Sequence, residues 1–232
     1  MALQEVTRRT LPRWREALAA AGLAHLASPL DDGRPLAAGR RLAVLTASRT
    51  AVAVAPPPAD VPWPERVLVT RLDRPLAAEV VNLHSPISPA PGFAKVRTHE
   101  AVFAYLAPPS ASPRVLCGDL NVPRREHADG TVLTFAHTSS GRLRPERGER
   151  WAAAERALLA GLREHGYVDA FRVLHGFGER EASWTFPGGK GGWRLDHVLV
   201  RGLAPTAAGY AHAWRDAGLS DHSALVVDLA PA

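Results

Sequence analysis

The stretch Arg114-Val-Leu-Cys-Gly-Asp-Leu-Asn121 is an apolar run that ends in a glycine, a carboxylate and a carboxamide. Val115, Leu116 and Cys117 read as a buried strand, Gly118 provides a bend, and Asp119 and Asn121 leave that bend two residues apart on one side. Pro123 stops the strand. A carboxylate held beside a carboxamide at the end of a core strand suits phosphate chemistry. The first can hold or move a proton near an attacking water, and the second can donate to a phosphoryl oxygen without adding negative charge. Taken alone, the pair suits equally an Asp/Asn turn whose side chains cap backbone amides.

Four further stretches repeat the pattern. Ser220-Asp-His222 precedes the apolar run Ala224 to Leu229, and Trp193-Arg-Leu-Asp-His197 opens the run Val198 to Val200. Val80-Val-Asn-Leu-His-Ser-Pro86 ends a strand in a polar tip closed by proline, and Leu3-Gln-Glu-Val6 brings a glutamate to another strand end. Five such ends argue against independent turns. In this order they resemble the endonuclease/exonuclease/phosphatase superfamily, whose hallmarks are a Gln-Glu pair, an Asn-x-His strand end, Gly-Asp-x-Asn, Arg-x-Asp and Ser-Asp-His. The resemblance runs from Glu5 to His222.

The resemblance implies an α/β fold, a four-layered α/β/β/α sandwich of two mixed, largely antiparallel sheets. It also implies a phosphodiesterase that depends on Mg²⁺ or Mn²⁺. Glu5 would be the principal metal ligand, with Asp221 near the metal. His222 would meet the scissile phosphate or attacking water, and Asp196 would supply the carboxylate that fixes its tautomer. Asp119 would either orient and deprotonate the water or protonate the leaving group, and Asn121 would bind a non-bridging oxygen. His84 matches the histidine that pancreatic deoxyribonuclease and sphingomyelinase relatives place near the phosphate. A hard cation needs only one or two carboxylates plus waters, so few acidic side chains must converge.

The 232 residues suffice for one domain with a buried core, and no composition shift marks a second. The formal charge of +5 comes from 28 basic and 23 acidic residues, nearly all the basic ones arginine. That charge fits a polyanionic partner such as DNA, and fits as well a bias in base composition, since Ala, Gly and Pro are also abundant. The single cysteine, Cys117, excludes an internal disulfide and reads as a small buried hydrophobe. No membrane span or signal peptide is visible, so the expectations are a cytoplasmic monomer with no membrane partner. Gly188 to Gly192 lacks the ending and context of a nucleotide-binding loop.

Along the chain, residues 2 to 6 read as a strand. A helix follows, with Thr10 as its cap, Pro12 in its first turn, Trp14, Leu18 and Ala21 as its apolar face and Gly22 at its end. Strands near 41–47, 50–55, 65–72 and 77–83 follow without intervening helices, so that region is expected to be antiparallel. Residues 94 to 106 read as an amphipathic helix with Val96, Val102, Phe103 and Leu106 inward and Lys95, Arg97 and Glu100 in solvent. His99 reads as structural, and His197, next to Asp196 on a strand, should face the opposite side and pack in the core. The stretch from 124 to 150 reads as a long arginine-rich loop with one short strand at Val132-Leu133, its arginines meeting either substrate or solvent. A helix over 151–164 follows, then a short helix within 167–175 and a strand at Ser183 to Phe186.

The C-terminal half is similar to the exonuclease III branch, in which the loop before the Arg-x-Asp strand carries aromatics that meet DNA. Trp184 and Trp193 are therefore candidates for stacking on a base or sugar, and equally suit a core. His84 leans instead to the deoxyribonuclease and phosphodiesterase side. The resulting expectation is hydrolysis of DNA phosphodiester bonds by an exonuclease or abasic-site endonuclease. The alternatives are a phosphatase or phosphodiesterase for a small or lipid phosphoester, and an inactive truncated member. Family members carry an Asn-bearing strand well before the Gln-Glu pair, whereas Met1 lies four residues before Glu5. A single domain over residues 1 to 232 that lacks its first strand is the expectation.

Overall fold

The computed structural model describes residues 1–33 and 35–232. Its centre is a six-stranded mixed sheet in the order β10-β13-β7-β6-β5-β4. The strands are β4 (Val52–Ala55), β5 (Val67–Leu72), β6 (Ala78–His84), β7 (Arg114–Asp119), β10 (Val168–Asp169) and β13 (Asp196–Arg201). β6 and β7 are parallel and joined through helix α2 (Ala94–Leu106), and the other pairings are antiparallel. A parallel pair needs such a crossover, and α2 supplies it.

Alternation along β7 sends its side chains to two layers. Leu116 joins Val81, Leu83, Val102, Leu106, Leu158 and Leu162 beneath the helices. Val115 and Cys117 face the other way, where Ala2 and Leu229 pack against them. Because both faces of β7 are covered, its apolar run is continuous rather than alternating. Gly118 has φ +123, and a Cβ there would lie 2.1 Å from the Leu83 carbonyl oxygen, so only glycine allows β6 and β7 to meet so closely at their ends.

The remaining strands form smaller units. β1 (Ala2–Val6), β2 (His25–Ala27) and β3 (Ala43–Ser48) make a three-stranded antiparallel sheet in the order β1-β3-β2. β14 (Leu203–Ala211) and β15 (Ala224–Pro231) form a hairpin, while β8 (Arg125–Glu126) with β9 (Val132–Leu133), and β11 (Trp184–Thr185) with β12 (Gly192–Trp193), form short ribbons. The helices are α1 (Leu11–Ala20), α2, α3 (Gly148–Arg156), α4 (Leu162–Glu164), α5 (Ala170–His175) and α6 (Ala213–Asp216), with a π-helical segment Ala157–Gly161 between α3 and α4. Among the described residues, no helix is long and apolar enough to cross a membrane.

Four local expectations need correction. The antiparallel run divides: β3 belongs to the three-stranded sheet and β4 to β6 to the central one, because the chain crosses over at residues 49–51. The helix expected over 151–164 begins at Gly148 and is interrupted by the π segment, where the ring of Phe103 lies 3.2 Å from the position a Cβ on Gly161 would take. Lys95 does not face solvent. It is 1% exposed, and its Nζ lies 2.6 Å from Glu155 Oε1. Helical periodicity marks Lys95 as neighbour to solvated Arg97, but it cannot show a carboxylate arriving from α3. Finally, of the apolar face expected on α1 only Leu18 is buried, and Trp14 is 40% exposed.

Candidate active site

Register across three adjacent strands assembles the site. Asp119 at the end of β7 pairs with His84 of β6 on one side and with Asp196 of β13 on the other. His222, just before β15, meets this row from the hairpin: its Nδ1 lies 2.7 Å from Asp196 Oδ2. Atoms of Asp119, Asp196 and His222 lie within 4.8 Å of one another. Asp196 is held in turn by Tyr210, whose hydroxyl donates to its carbonyl at 2.6 Å. With Nδ1–H donated to a carboxylate, His222 Nε2 is the ring nitrogen left to face a substrate.

Asn121 secures Asp119. Its backbone amide donates to Asp119 Oδ1 at 2.8 Å and its side-chain Nδ2 to Oδ2 at 2.9 Å, while Nδ2 also donates to the Ser85 carbonyl at 2.8 Å. Both carboxamide hydrogens are thus engaged, and a bond to a phosphoryl oxygen would have to replace one of them. Asn121 sits at φ 53, a left-handed conformation that asparagine tolerates, and its carbonyl accepts from Lys95 Nζ at 2.7 Å.

Burial and charge divide the protonation states. Asp119 is 7% exposed, and burial together with the neighbouring Asp196 carboxylate pushes its carboxyl up to about 7, against the pull of His222, the Asn121 amide and Lys95. Burial opposes charge on His222, but the hydrogen bond and charge of Asp196, helped by Asp119 and Asp221, outweigh it and lift the imidazole to about 9. His84 goes the opposite way: burial, then the charges of Arg66 and His222, push it down to about 3 despite Asp196. A neutral His84 makes its separations of 3.8 Å from Glu5 and 3.7 Å from Asp119 simple proximity rather than ion pairs. The row therefore offers a carboxyl that exchanges its proton near neutrality beside an imidazolium, a pairing suited to acid–base work.

Glu5 reaches the site from β1 at φ 60, with its side chain 63% exposed. Asp221 is exposed beside His222. The two residues expected to ligate metal thus lie at the rim, while the tightest acidic and imidazole group is Asp119, Asp196 and His222. Carboxylate oxygens dominate this set, with no thiolate, and the buried Asp119 and the half-buried Asp196 repel one another. That donor chemistry fits a hard divalent cation such as Mg²⁺ or Mn²⁺.

Trp184 and Trp193 are neighbours across the β11–β12 ribbon, their rings stacked with centroids 5.1 Å apart and 12° between planes. Phe186 packs edge-on against both, and Phe135 against Trp193. Trp184 also bridges to His222, so the aromatic group adjoins the row of strand ends. Both indoles are half-buried, which makes them partly a small core and partly a surface beside the site.

Several residues that shape the site were given no part in it from the sequence. Arg194, 3% exposed, binds Glu126 through two contacts and Asp169 through two more, and Arg172 closes on Glu126 as well. Burial works against charge on Glu126, yet the two arginines hold it down at about 2. His197, expected as a core residue, is 1% exposed; its Nε2 donates to the Val122 carbonyl at 2.7 Å and its Nδ1 lies 3.3 Å from Asp169 Oδ2. This knot anchors the start of β13 and so the position of Asp196. Arg66 contacts His84 Nε2 at 3.5 Å, and Gln4 donates to Asn82 Oδ1 at 2.8 Å, tying β1 to β6. His99 is structural as expected, 2.7 Å from Ser85 Oγ.

A family model described as the Endonuclease/Exonuclease/phosphatase family matches residues 1–222. The chain belongs to this family. On that ground it is a phosphoric ester hydrolase. Among curated proteins none matches the chain by sequence. Solved structures share its fold at low identity. The 3′ phosphatase NExo from Neisseria, bound to a product DNA hairpin, is 20% identical with a TM-score of 0.62, the match covering 99% of this chain and 88% of that one. AP endonuclease LMAP from Leishmania major is 18% identical with a TM-score of 0.58, covering 100% and 78%. A humanized D. rerio TDP2 is 13% identical with a TM-score of 0.65, covering 99% and 84%. In this family setting, the row of strand ends is the candidate centre for phosphoester hydrolysis.

Proposed function

We propose that the protein is a Mg²⁺- or Mn²⁺-dependent phosphodiesterase that hydrolyses DNA, as an exonuclease or abasic-site endonuclease, on a four-layered α/β/β/α sandwich. The observation that carries the reading is the alignment of His84, Asp119 and Asp196 across adjacent strand ends, with His222 hydrogen-bonded to Asp196. Glu5, Asp119, Asp196 and Asp221 are the oxygen donors available to a divalent cation, which when bound would polarise the phosphoryl group and stabilise the leaving oxygen. Asp119, with its proton exchanging near pH 7, takes a proton from the attacking water or returns one to the leaving group. His222 presents an imidazolium Nε2–H to a non-bridging oxygen. Asn121 holds Asp119 in place, and neutral His84 fills the side of the site near Glu5.

DNA is favoured as substrate by the aromatic group of Trp184 and Trp193 beside His222 and by the surplus of positive charge. A small phosphoester is the second reading, favoured by His84 at the site. Incubation with Mg²⁺ and an abasic-site duplex, a plain duplex, a 3′-phosphorylated duplex and 4-nitrophenyl phosphodiester separates the readings. Release of DNA products with no turnover of the nitrophenyl ester supports the first. Turnover of the small ester alone contradicts it.

A further inference from the structure

Three arginines between β7 and α3 gather on one short stretch of backbone. The Arg124 guanidinium lies over the ring of Phe135, 5.4 Å from its centre, Arg147 Nη1 donates to the Phe135 carbonyl, and Arg144 Nε donates to the His137 carbonyl at 3.4 Å. All three are half-buried. Their charges reach one another: Arg124 is held below its ordinary value by burial first and then by Arg144, Arg147 and Arg125, and Arg147 by burial and then by Arg144.

The acidic side chains nearby do not balance this charge. Glu155 is taken by Lys95 at 2.6 Å, Glu100 by Arg150 at 2.8 Å and Glu149 by Arg156 at 3.6 Å. Glu146, exposed and 3.6 Å from Arg144, is the one carboxylate paired with any of the three among the described residues. Arg124 has no polar partner among the described residues, and its Nε is buried without one. Three guanidiniums against one carboxylate leave two positive charges, set where screening by water is weaker than in bulk.

We propose that Arg124, Arg144 and Arg147 form a second phosphate site, which holds a phosphate monoester other than the group hydrolysed beside Asp119, Asp196 and His222. A monoester carries about −1.5 to −2 at neutral pH, which matches the uncompensated charge, and guanidinium forks suit its oxygens. A bound dianion also relieves the mutual repulsion of the arginines. The positive end of the α3 dipole adds to the field, since α3 begins at Gly148, next to Arg147. Position supports a role in recognition. Phe135 meets Trp193 edge-on at 5.0 Å, and Lys95 lies between the cluster and the strand ends, 4.9 Å from the Phe135 ring centre and 2.7 Å from the Asn121 carbonyl. The cluster thus adjoins the candidate active site without sharing a residue with it. The monoester is either the end of a nucleic-acid strand passing over Trp184 and Trp193, which rests on the DNA reading above, or part of a small phosphorylated molecule, which does not.

Thermal melting of the full chain in EDTA, with rising inorganic phosphate at pH 8 and constant ionic strength, tests the site without turnover. Phosphate strengthens apolar burial in any protein, and Arg124→Gln, which gives up no hydrogen bond to the protein, shares that general effect. The expected result is a saturable rise in the parent beyond that of Arg124→Gln, about 3 °C at ten times Kd, and a rise of the same size in His222→Ala. Equal curves for the parent and Arg124→Gln, or a rise lost in His222→Ala and kept in Arg124→Gln, would overturn the proposal. Fluorescence anisotropy in EDTA, with internally labelled duplexes bearing a 5′-phosphate, a 3′-phosphate or neither, then assigns the source. Binding about tenfold tighter to one phosphorylated duplex, with the gain absent in Arg124→Gln, assigns a strand end. Equal binding of all three duplexes alongside the melting rise assigns a small phosphorylated molecule. Failure to bind any duplex counts against the DNA reading alone, and the melting curves still decide the site.

Discussion

Asp119 is a buried carboxyl beside a second carboxylate, Asp196. Its folded value near 7 exceeds the ordinary carboxyl value of 3.8, so the folded state binds more protons between those limits. Stability must therefore fall as pH rises from about 4 to 7, because the buried carboxylate acquires charge beside Asp196. Asp119→Asn removes that cost, and thermal melting at pH 8 should place the variant above the parent protein, with the difference gone at pH 4. His222 has the same sign in a higher pH window. Its raised value means that the stabilisation from Asp196 is complete below pH 6.5 and is lost as pH climbs through 9, so His222→Gln should flatten the alkaline limb of a melting-versus-pH curve. At His84, the charge of Arg66 adds to burial in keeping the ring neutral. In Arg66→Gln an NMR titration should find the His84 value raised from about 3 yet still below 6.5. Residue types at strand ends were legible in the sequence because chemistry restricts them. Roles were less so: the engagement of both Asn121 hydrogens with Asp119 and Ser85 depends on a backbone turn that no spacing reveals.

At the scale of elements, the site depends on how β6, β7 and β13 end together. Gly118 permits that close meeting, and Gly118→Ala should cost at least about 2 kcal/mol in urea unfolding, from the positive φ and from contact with the Leu83 carbonyl. Lys95 and Glu155 connect the elements behind the site. Glu155 also accepts from Trp151 Nε1 at 2.8 Å and from the Phe135 amide at 2.6 Å, and so fastens α3 and the 124–150 segment to α2. Lys95→Met leaves that carboxylate buried and unpaired, with an expected loss of about 3–5 kcal/mol, most of which Glu155→Gln in the same chain should recover. Strands β1 and β3 to β7 were legible from apolar runs cut by Pro, Gly and Asp. In the 124–150 segment the strand at Val132–Leu133 was legible too, but the Arg194 knot was not, because Glu126, Asp169 and Arg194 lie far apart in sequence and pair only once β10 and β13 are adjacent.

Across the whole molecule, family membership and the order of the five strand ends agree, and both were legible because polar residues that close apolar strands leave a strong pattern. The division of the remaining strands into a three-stranded sheet and a separate hairpin was not legible in detail, since local patterning names strands without naming their neighbours. Positive charge and an aromatic group beside His222 lead to an expectation for DNA binding: affinity should fall about tenfold or more between 50 and 200 mM salt, measured by fluorescence anisotropy with labelled duplex. The central claim is that the Asp119, Asp196 and His222 row performs phosphoester hydrolysis. Single-turnover cleavage of end-labelled duplex DNA with Mg²⁺, comparing the parent chain with Asp119→Asn and His222→Ala, tests it most directly. The account expects cleavage by the parent and a loss of about 10²–10⁴-fold in each variant, with circular dichroism unchanged. Equal cleavage rates in the parent and both variants would contradict it.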